Sequence, residues 1–387
     1  MVTRDPARVR RVAFLIGHLG MGGTQRQLSL LARTLRGRGV EVHVLLLSRG
    51  GPHEAELRAA GVEVHLLDFA RRPSRLRTAA GNARAFARLV GLLRRLRPDV
   101  LHAFLREGYL LGVPAARLAG VPAVVAGRRN QSRLERRRRV LLPLDRTVTL
   151  LTDHVTVNAA ALARDAHATD GVPDRKLSVI YNALPASAFD PAEPARIDTA
   201  LPVVVCVARL SPEKGHRVLV EAAAGLLRRG RPCTFVLVGD GPERAALERL
   251  AGDSGADVRF AGARTDVGAF LARADVVVLA SLSEGLSNAV MEAMAAGRPI
   301  VATSVGGTAE LLEGRGVLVP ASDPHALADG IARLLDDPGL AAALGDAASA
   351  WTRKNLGLDV MVDEHLTLYG RLVAARRSPR AEDRRAR

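Results

Sequence analysis

A short helical segment lies between two apolar, β-branched runs in the second half of this 387-residue chain. Residues 274–281 (ADVVVLAS) and 298–303 (RPIVAT) have the composition of buried parallel strands. The helix is predicted over 288–296, with Ser287 as its N-cap and Gly297 at its end. A strand, a helix and a second parallel strand make a βαβ unit, which places the chain in the α/β class.

The same alternation of strands and helices runs through both halves of the chain. Five alternations without a hairpin signal begin with the strand predicted for 11–16, and the pattern restarts with a strand at 203–208. Between these two series, residues 183–200 have the composition of a linker. The length of 387 residues also suits two domains of about 150–200 residues each.

We therefore predict two doubly wound, Rossmann-like domains. The first covers residues 1–183 and the second covers residues 184–359. A C-terminal helix at about 360–376 is expected to rejoin the first domain. Residues 377–387 are polar and are predicted to form a disordered tail.

Composition excludes several classes of protein. The chain has 56 Lys and Arg against 40 Asp and Glu, and nearly all of its basic residues are arginines. Only 3% of its residues are aromatic, which argues against nucleic-acid binding. Cys206 and Cys233 lie in predicted buried strands without disulfide or metal-ligand spacing, so we expect a reducing compartment and no metal site. No apolar run approaches 18 residues, so we predict no membrane span and a cytoplasmic location.

Charged residues follow two of the buried strands predicted in the second half. Arg209 and Lys214 share one strand-to-helix loop, and two cations at the carboxyl end of a buried strand suit a diphosphate. Glu284 precedes the 288–296 helix and Glu292 lies one turn into it. Because that helix is apolar all round, we expect it to be buried and Glu292 to need a partner. Alternatively, the cations are surface charges, Glu284 caps the helix, and Glu292 pairs with a buried arginine.

Two glycine-rich loops are also predicted next to strands. Residues 17–23 (GHLGMGG) fit neither the dinucleotide fingerprint nor the P-loop, and they indicate either a backbone that approaches a large ligand or a tight turn. Residues 239–242 (GDGP) allow the same approach, although a plain turn has this composition too. Together with the carboxylates and the free N–H groups of the helix start, these loops favour a ligand with hydroxyls and phosphate.

Polar side chains also lie near strand ends in the first domain. His102 is close to the end of one predicted strand and Arg106 follows it, while Arg128 and Arg129 end a later strand on the same edge. These groups are candidates for binding a second substrate. The alternative for His102 is a core residue with satisfied hydrogen bonds.

An arginine-rich stretch interrupts the alternation at residues 128–139. Its seven arginines are followed by apolar residues, and Arg133–Leu144 forms a basic amphipathic segment. Such segments lie on anionic membrane surfaces, although a solvated arginine-rich helix is the alternative. A peripheral position on the inner face of the plasma membrane is therefore one hypothesis.

Several of these segments together resemble the family 4 retaining glycosyltransferases, which have the two-domain GT-B fold. Residues 283–303 (SEGLSNAVMEAMAAGRPIVAT) are similar to the family's E-x7-E block almost letter for letter, and residues 207–215 (VARLSPEKG) resemble its phosphate-binding loop. Residues 239–243 (GDGPE) and 22–26 (GGTQR) resemble its nucleotide-side turn and its N-terminal glycine loop. The likeness extends over nearly the whole chain and implies two Rossmann-like domains that face each other across a cleft.

The resemblance implies roles for individual residues. Arg209 and Lys214 would hold the diphosphate of a nucleotide sugar, Glu284 the transferred sugar and Glu292 the ribose. The other donor-binding candidates are Gly22, Gly23, Gly239, Asp240, Gly241, Gly285, Leu286, Ser287 and Asn288. No obligatory metal or other cofactor is implied, because the two cations supply the positive charge.

Two departures from the family pattern concern the first domain. Most members have glutamate where this chain has Gln25, and many have His-x-His where this chain has His102-Ala103-Phe104. Either His102 or a group such as Arg106 replaces the second histidine, or its contact with the donor sugar is missing. His102 is thus a candidate catalytic residue, and the acceptor-side candidates are Arg106, Arg128 and Arg129.

The sequence therefore predicts an enzyme that transfers a hexosyl or N-acetylhexosaminyl group, with retention, from a nucleoside-diphosphate sugar to an acceptor hydroxyl. The acceptor would be a glycan, a lipid-linked intermediate or a small molecule, in the synthesis of cell-surface polysaccharide, glycolipid or another glycoconjugate. The alternatives are a sugar-nucleotide epimerase of the same architecture and a non-catalytic member that only binds nucleotide sugar or membrane. The intact Arg209, Lys214, Glu284 and Glu292 argue against a non-catalytic protein.

Overall fold

The protein has an α/β architecture, as the sequence predicts. A computed structural model describes residues 9–20, 22–69, 75–129 and 138–377. The chain divides into two compact units, one made of Met1–Ala183 with Leu358–Arg387 and the other of Leu184–Gly357. Each unit contains one parallel sheet with helices in the connections between its strands.

The first unit is built on a seven-stranded sheet. Its strands are β1 (Arg11–His18), β2 (Glu41–Arg49), β3 (Glu63–Leu66), β4 (Val100–Phe104), β5 (Ala123–Arg128), β6 (His154–Val157) and β7 (Leu177–Val179). The helices between them and after β6 are α1 (Gly23–Gly37), α2 (His53–Ala59), α3 (Arg75–Leu96), α4 (Leu105–Ala119), α5 (Arg138–Leu151) and α6 (Ala160–Asp170). The strand order β3-β2-β1-β4-β5-β6-β7 is that of a doubly wound sheet.

The second unit is built on a six-stranded sheet. Its strands are β8 (Val203–Val207), β9 (Thr234–Val238), β10 (Val258–Gly262), β11 (Val276–Leu279), β12 (Ile300–Thr303) and β13 (Val317–Val319). Its helices are α7 (His216–Arg228), α8 (Arg244–Ser254), α9 (Val267–Arg273), α10 (Asn288–Ala295), α11 (Thr308–Leu312), α12 (Pro324–Asp336) and α13 (Pro338–Asn355). The order β10-β9-β8-β11-β12-β13 is again doubly wound. A last helix, α14 (Leu358–Arg377), follows.

The C-terminal helix α14 completes the core of the first unit. Its Val362, Tyr369 and Val373 are fully buried and belong to the same apolar cluster as Phe14 of β1 and Phe104 of β4. Burying these side chains removes large apolar surfaces from water, which is the main stabilising term in folding. The first unit is therefore assembled from both ends of the chain.

Three sequence predictions differ from the structure or lie beyond it. Helix α2 was not predicted, because Leu57 is its one buried residue and a single apolar position gives no helical period. Residues 133–137 of the basic segment Arg133–Leu144 lie outside the described residues, and so does the tail predicted at 377–387 apart from its first residue. Within the described ranges, no helix has the length and apolar character that crossing a membrane requires.

Candidate active site

Four neighbouring strands of the second sheet end at one edge, and their loops form the candidate site. The strand order reverses between β8 and β11, because the chain proceeds from β8 towards β9 on one side and from β11 towards β12 on the other. Such a switch point opens a crevice at the carboxyl ends of the strands, which is the usual ligand position in open α/β sheets. The loops at this edge are 208–215, 239–243, 280–287 and 304–307.

Lys214 and Glu284 form an ion pair across this switch point. Nζ of Lys214 lies 2.5 Å from Oε1 of Glu284, and the same oxygen accepts a 2.7 Å hydrogen bond from Oγ of Ser281. The Glu284 side chain is 8% exposed and that of Lys214 is 23% exposed. Because an ammonium group has three N–H donors, Lys214 can bind Glu284 and an anionic ligand at once.

Glycines allow the loop after β8 to pack directly on the loop after β11. Gly215 has a left-handed φ of 65°, and a Cβ atom there would overlap the carbonyl oxygen of Ala280. The backbone N–H of Leu282 also donates a 2.8 Å hydrogen bond to the carbonyl of Glu213. The spacing between Lys214 and Glu284 is therefore fixed by backbone contacts.

A second glycine contact holds the loop of Glu284 from the other side. Gly306, with a φ of 54°, lies against the carbonyl of Glu284, where a Cβ atom would overlap the oxygen. The N–H of Gly307 donates a 2.7 Å hydrogen bond to the carbonyl of Gly285. The Glu284 loop is thus held between the loops that follow β8 and β12.

The predicted donor-binding turn at Gly239, Asp240 and Gly241 also has a structural function. Cβ atoms at Gly239 and Gly241 would overlap the carbonyl oxygens of Ala208 and Leu210, so both glycines permit this turn to pack on the loop after β8. Asp240 Oδ1 accepts a 2.7 Å hydrogen bond from the N–H of Gly241. The glycine pattern is therefore accounted for by loop packing, and the turn lies at the edge where the candidate site is formed.

Arg209 differs from Lys214 and Glu284 because its side chain is exposed to solvent. It is exposed, and its guanidinium makes no hydrogen bond or ion pair with the part of the chain that the structure describes. It lies in the same loop as Lys214, five residues away. The site therefore has one cation held by a carboxylate and a second one available to a ligand.

Helix α10 begins with the predicted cap but is not buried all round. Oγ of Ser287 accepts a 3.4 Å hydrogen bond from the N–H of Val290, and the free N–H groups of the first turn favour an anion. Asn288, Glu292 and Ala296 are partly exposed. Since these residues are four apart, they share one face of the helix. The expectation that Glu292 is a buried carboxylate is therefore wrong, because it lies on a partly open face.

His102 lies inside the core of the first unit. It is 0% exposed, with Nδ1 2.7 Å from the hydroxyl of Tyr369 and Nε2 3.0 Å from Oγ1 of Thr156. Burial holds the pKa of His102 well below its usual value, and the ring is neutral at pH 7. Both nitrogens have partners and neither reaches the surface. In place of the predicted catalytic role, His102 therefore has a structural one.

Arg106 and Arg128 are engaged by carboxylates of neighbouring helices. Nη2 of Arg106 lies 2.7 Å from Oδ2 of the fully buried Asp145. Arg128 forms an ion pair with Asp170 and donates a 2.8 Å hydrogen bond to Oγ1 of Thr149. Removing one partner from such a buried pair is strongly destabilising. Both arginines therefore have ion pairs that stabilise the first unit, and their acceptor-side role stays a prediction.

Arg129 is also buried, but no carboxylate compensates it within the part of the chain that the structure describes. It is 7% exposed, donates a 3.3 Å hydrogen bond to Oδ1 of Asn182, and its guanidinium lies 5.3 Å from the centre of the Phe104 ring. Burial lowers the pKa of Arg129 to about 10, so it remains charged at neutral pH. Nearby, the buried Oδ1 of Asn158 accepts no hydrogen bond within the described structure. These groups follow β5, β6 and β7 at the carboxyl edge of the first sheet.

The glycines predicted to bind donor in the first unit lie at the start of α1. Gly22 caps the helix in an extended conformation and Gly23 is its first residue, and both are exposed. Gln25, which replaces the usual glutamate of the resembling family, is 6% exposed. The loop is therefore open to a ligand through its backbone, although Met21 lies outside the described residues.

Comparisons with known proteins agree with this geometry. The family model "Glycosyltransferase Family 4" matches residues 21–187, and "Glycosyl transferases group 1" matches residues 201–337. The 2-deoxystreptamine glucosyltransferase of Streptomyces kanamyceticus is 31% identical over 328 residues, which cover 76% of this chain and 83% of that relative. The chain belongs to glycosyltransferase family 4.

Two further similarities extend this assignment. The alpha-D-kanosaminyltransferase of the same organism is 36% identical over 174 residues, but this match spans only 45% of that relative and 43% of this chain. The structure of Anabaena Alr3699/HepE in complex with UDP has a TM-score of 0.80 and 22% identity, and covers 92% of this chain and 99% of that one. At this identity the likeness shows the fold, which is that of the GT-B glycosyltransferases.

Sequence reasoning missed two residues that shape the site of this glycosyltransferase. Ser281 binds Glu284 directly, and its signal was only a small polar residue at the end of an apolar run. Gly306 supports the backbone of Glu284, and a Gly-Gly pair after a strand was the available signal. Neither sequence pattern identifies the residue that Ser281 or Gly306 contacts, because the pattern describes only one side of each contact.

The Gly306→Ala variant of this glycosyltransferase should displace the Glu284 loop. The new Cβ would overlap the Glu284 carbonyl, so we expect the left-handed backbone cost of roughly 1–2 kcal/mol plus a further roughly 1–3 kcal/mol for overpacking. Chemical denaturation should show this loss in the free energy of unfolding. Gly314→Ala is the matched control, since Gly314 has a φ of 70° with open space around its Cβ position. Equal losses in the two variants would contradict the close contact between Gly306 and the Glu284 carbonyl.

Proposed function

We propose that this family 4 glycosyltransferase moves a sugar from a nucleoside-diphosphate sugar to an acceptor hydroxyl, with retention at the anomeric carbon. The observation that carries the donor half of the proposal is the pairing of Lys214 with Glu284 beside the open Arg209. A diphosphate needs positive charge, and sugar hydroxyls need an acceptor such as a carboxylate. This arrangement supplies both at one switch point.

The chemistry follows from where charge develops. When the bond between the anomeric carbon and the diphosphate oxygen breaks, negative charge grows on the departing diphosphate. Lys214 and Arg209 would stabilise that charge, and we therefore propose that no metal ion is required. The acceptor oxygen forms the new bond on the same face of the sugar, and its proton passes to the departing diphosphate.

Glu284 is better suited to hold the sugar than to attack it. Its Oε1 is bound by both Lys214 and Ser281, which leaves the other carboxylate oxygen to accept a hydrogen bond from a sugar hydroxyl. Glu292, on the open face of α10, would accept hydrogen bonds from the ribose. The N–H groups at the start of α10 would bind the phosphate between these two groups.

The acceptor side rests on the first unit. Of the three arginines considered there, Arg129 is the one that lacks a carboxylate partner within the described structure. We propose that it binds a polar or anionic group of the acceptor. A polyhydroxylated small molecule is one candidate class, because relatives are named for kanosaminyl transfer and for glucosyl transfer to 2-deoxystreptamine; a glycan or lipid-linked intermediate is the other.

A peripheral membrane position is a separate proposal. Three leucines on α5, namely Leu144, Leu150 and Leu151, are 47%, 78% and 41% exposed. The first ends the basic segment and the other two follow it, while residues 133–137 of that segment are outside the described residues. Apolar side chains next to arginines favour an anionic membrane surface. Co-sedimentation with vesicles should increase with their anionic lipid content, and equal binding to neutral vesicles would contradict this proposal.

The proposed reaction predicts a specific pattern of ligand responses. In a thermal-shift screen one nucleoside diphosphate should raise the melting temperature, since binding stabilises the folded state by mass action; UDP is tested first because Alr3699/HepE binds it. The matching sugar nucleotide should release that diphosphate when an acceptor is added. Isomerised sugar nucleotide in the absence of acceptor would indicate an epimerase, and no response to any nucleotide would contradict the proposal.

Replacing Arg209 with alanine should weaken binding of the diphosphate without destabilising the fold. A hydrogen bond to a charged group contributes about 1.5–3 kcal/mol, which corresponds to roughly 10–100-fold in affinity. Because Arg209 is exposed and its guanidinium has no partner in the described structure, the free energy of unfolding should stay within about 0.5 kcal/mol. Arg249→Ala, an exposed arginine on α8, is the control. Equal affinities of the unmodified protein, Arg209→Ala and Arg249→Ala for the diphosphate would contradict a role of Arg209 in binding it.

A further inference from the structure

Three metal-ligating side chains converge on the first sheet, away from the carboxyl edge. His43 is the third residue of β2, and Glu63 and His65 are the first and third residues of β3. The register pairs His43 with Glu63. Because side chains two apart on a strand share a face, His65 lies on the same face as the other two. The cluster therefore joins the edge strand β3 to β2.

The distances between the three ligand atoms match a metal site. Nδ1 of His43 lies 3.3 Å from Nε2 of His65 and 3.3 Å from Oε2 of Glu63, and the last two atoms are 3.5 Å apart. A tetrahedral zinc ion about 2.1 Å from each ligand separates the ligands by about 3.4 Å. The three atoms thus form one face of such a tetrahedron.

The hydrogen bonding around His43 favours a cation at the centre of this triangle. Nε2 of His43 lies 3.0 Å from Oε1 of Glu41, whose other oxygen is held 2.6 Å from Arg11. When Nε2 donates its hydrogen bond to Glu41, Nδ1 is the ring nitrogen that faces the Glu63 carboxylate and can bind a metal ion. A carboxylate that orients a histidine in this way is the usual second partner of a zinc-binding imidazole.

We propose that His43, Glu63 and His65 bind one Zn²⁺ ion, with water as the fourth ligand. Two imidazoles and one carboxylate suit zinc and other first-row transition metals, whereas Mg²⁺ prefers oxygen ligands alone. A cavity of about 620 Å³ adjoins the cluster, and its lining includes His43 and Glu63 together with Arg10, Arg36 and Arg38. The ion would tie the four-residue edge strand β3 to its neighbour.

This site is independent of the donor site and could not be anticipated from spacing. Its ligands come from two strands, and the only short spacing among them is the Glu63-x-His65 pair, which is too common to be diagnostic. The expectation of no metal site rested on the two cysteines. The new proposal concerns the first sheet and leaves the metal-free mechanism of sugar transfer unchanged.

The test uses the full chain, stripped with EDTA and titrated with ZnCl₂ in competition with a chelating dye. We expect one tightly bound Zn²⁺ per chain and a rise in melting temperature that MgCl₂ does not produce. His65→Gln should lose affinity by at least the roughly 10–100-fold that is typical when even an outer partner is removed. Glu63→Gln, at a side chain that is 66% exposed, gives a second variant that should fold normally.

His167→Gln is the matched control, because His167 is an exposed histidine of the same unit. It should bind zinc as the unmodified protein does. The proposal is overturned if the unmodified protein takes up less than one equivalent at micromolar zinc. It is also overturned if the His65 and Glu63 variants retain the affinity of the control.

Discussion

Lys214→Met should lower the rate of sugar transfer by about 10²–10³-fold, the loss that accompanies removal of one preorganised group from a developing negative charge. Methionine keeps most of the side-chain volume but removes the ammonium. In the structure that ammonium lies 2.5 Å from Glu284, at the switch point where the donor diphosphate is proposed to bind. Binding of the nucleoside diphosphate should weaken as well, because the charge acts on both the bound and the departing phosphate.

The choice of lysine at this position is itself informative. The chain has 56 basic residues, and only Lys176, Lys214 and Lys354 are lysines. Lys176 binds backbone carbonyl groups at the C-terminal end of α5, and Lys354 is exposed. In a chain that otherwise uses arginine, a compact ammonium beside the Glu284 carboxylate suits the proposed position between that carboxylate and a diphosphate, because a guanidinium has a larger, planar shape.

Lys354→Met is therefore the matched control for Lys214→Met. It removes an exposed ammonium from the same unit and should leave transfer unchanged. Some destabilisation of Lys214→Met is expected, because within the described residues the Glu284 side chain keeps only its hydrogen bond from Ser281. Circular dichroism and denaturation must therefore show that the variant is folded. A folded Lys214→Met protein with transfer within threefold of the control would contradict the assignment.

Glu284→Gln should lower transfer by about 10–100-fold, because a neutral amide replaces the charged acceptor that is proposed to hold a sugar hydroxyl. Its effect on the affinity for the free nucleoside diphosphate should differ from that of Lys214→Met, which lowers this affinity. The diphosphate has no sugar for Glu284 to bind, and the Lys214 ammonium is released from its ion pair. Affinity for the diphosphate should therefore be unchanged or higher while transfer falls.

Glu221→Gln, at an exposed position on α7, controls for the loss of one negative charge. Both proteins are compared by calorimetric titration of the diphosphate and by initial rates of transfer. If Glu284→Gln lowers the affinity for the diphosphate by the same factor as it lowers the rate of transfer, Glu284 acts on the phosphate. The proposed roles of Lys214 and Glu284 would then be wrong.

The second unit could be predicted from sequence in some detail. Apolar β-branched runs predict its buried strands, and Ser287 was identified correctly as the cap of α10. Because loops after parallel strands meet at one edge, Arg209, Lys214 and Glu284 were expected near one another. The sequence did not reveal that Lys214 pairs with Glu284, since the two are 70 residues apart and only the switch point of the sheet joins them.

The first unit shows why the partners of other candidate residues could not be predicted. Arg106 pairs with Asp145 and Arg128 pairs with Asp170. The helices that carry these aspartates are positioned by tertiary packing, which no local sequence pattern predicts. His102 is buried by Tyr369, which comes from the C-terminal helix. Burial of a polar strand residue depends on which element packs over it, and for His102 part of that cover comes from the C-terminal helix.

Glu292 shows a limit of helical periodicity. Its helix has few polar residues, so the pattern indicated burial on every side. In the structure small residues such as Ala289 and Ala296 lie with Glu292 on a partly open face. Alanine is compatible with either environment, so composition alone could not identify the face that is available to a ligand.

The most direct test of the donor site is calorimetric titration of the responding nucleoside diphosphate into four proteins: the unmodified enzyme, Arg209→Ala, Lys214→Met and the double variant. Two charge-assisted contacts to one diphosphate predict that each single change costs roughly tenfold or more in affinity and that the double change costs about 100-fold or more. Arg249→Ala and Lys354→Met should bind as the unmodified enzyme does. A double variant that binds the diphosphate as tightly as the unmodified enzyme would contradict the account.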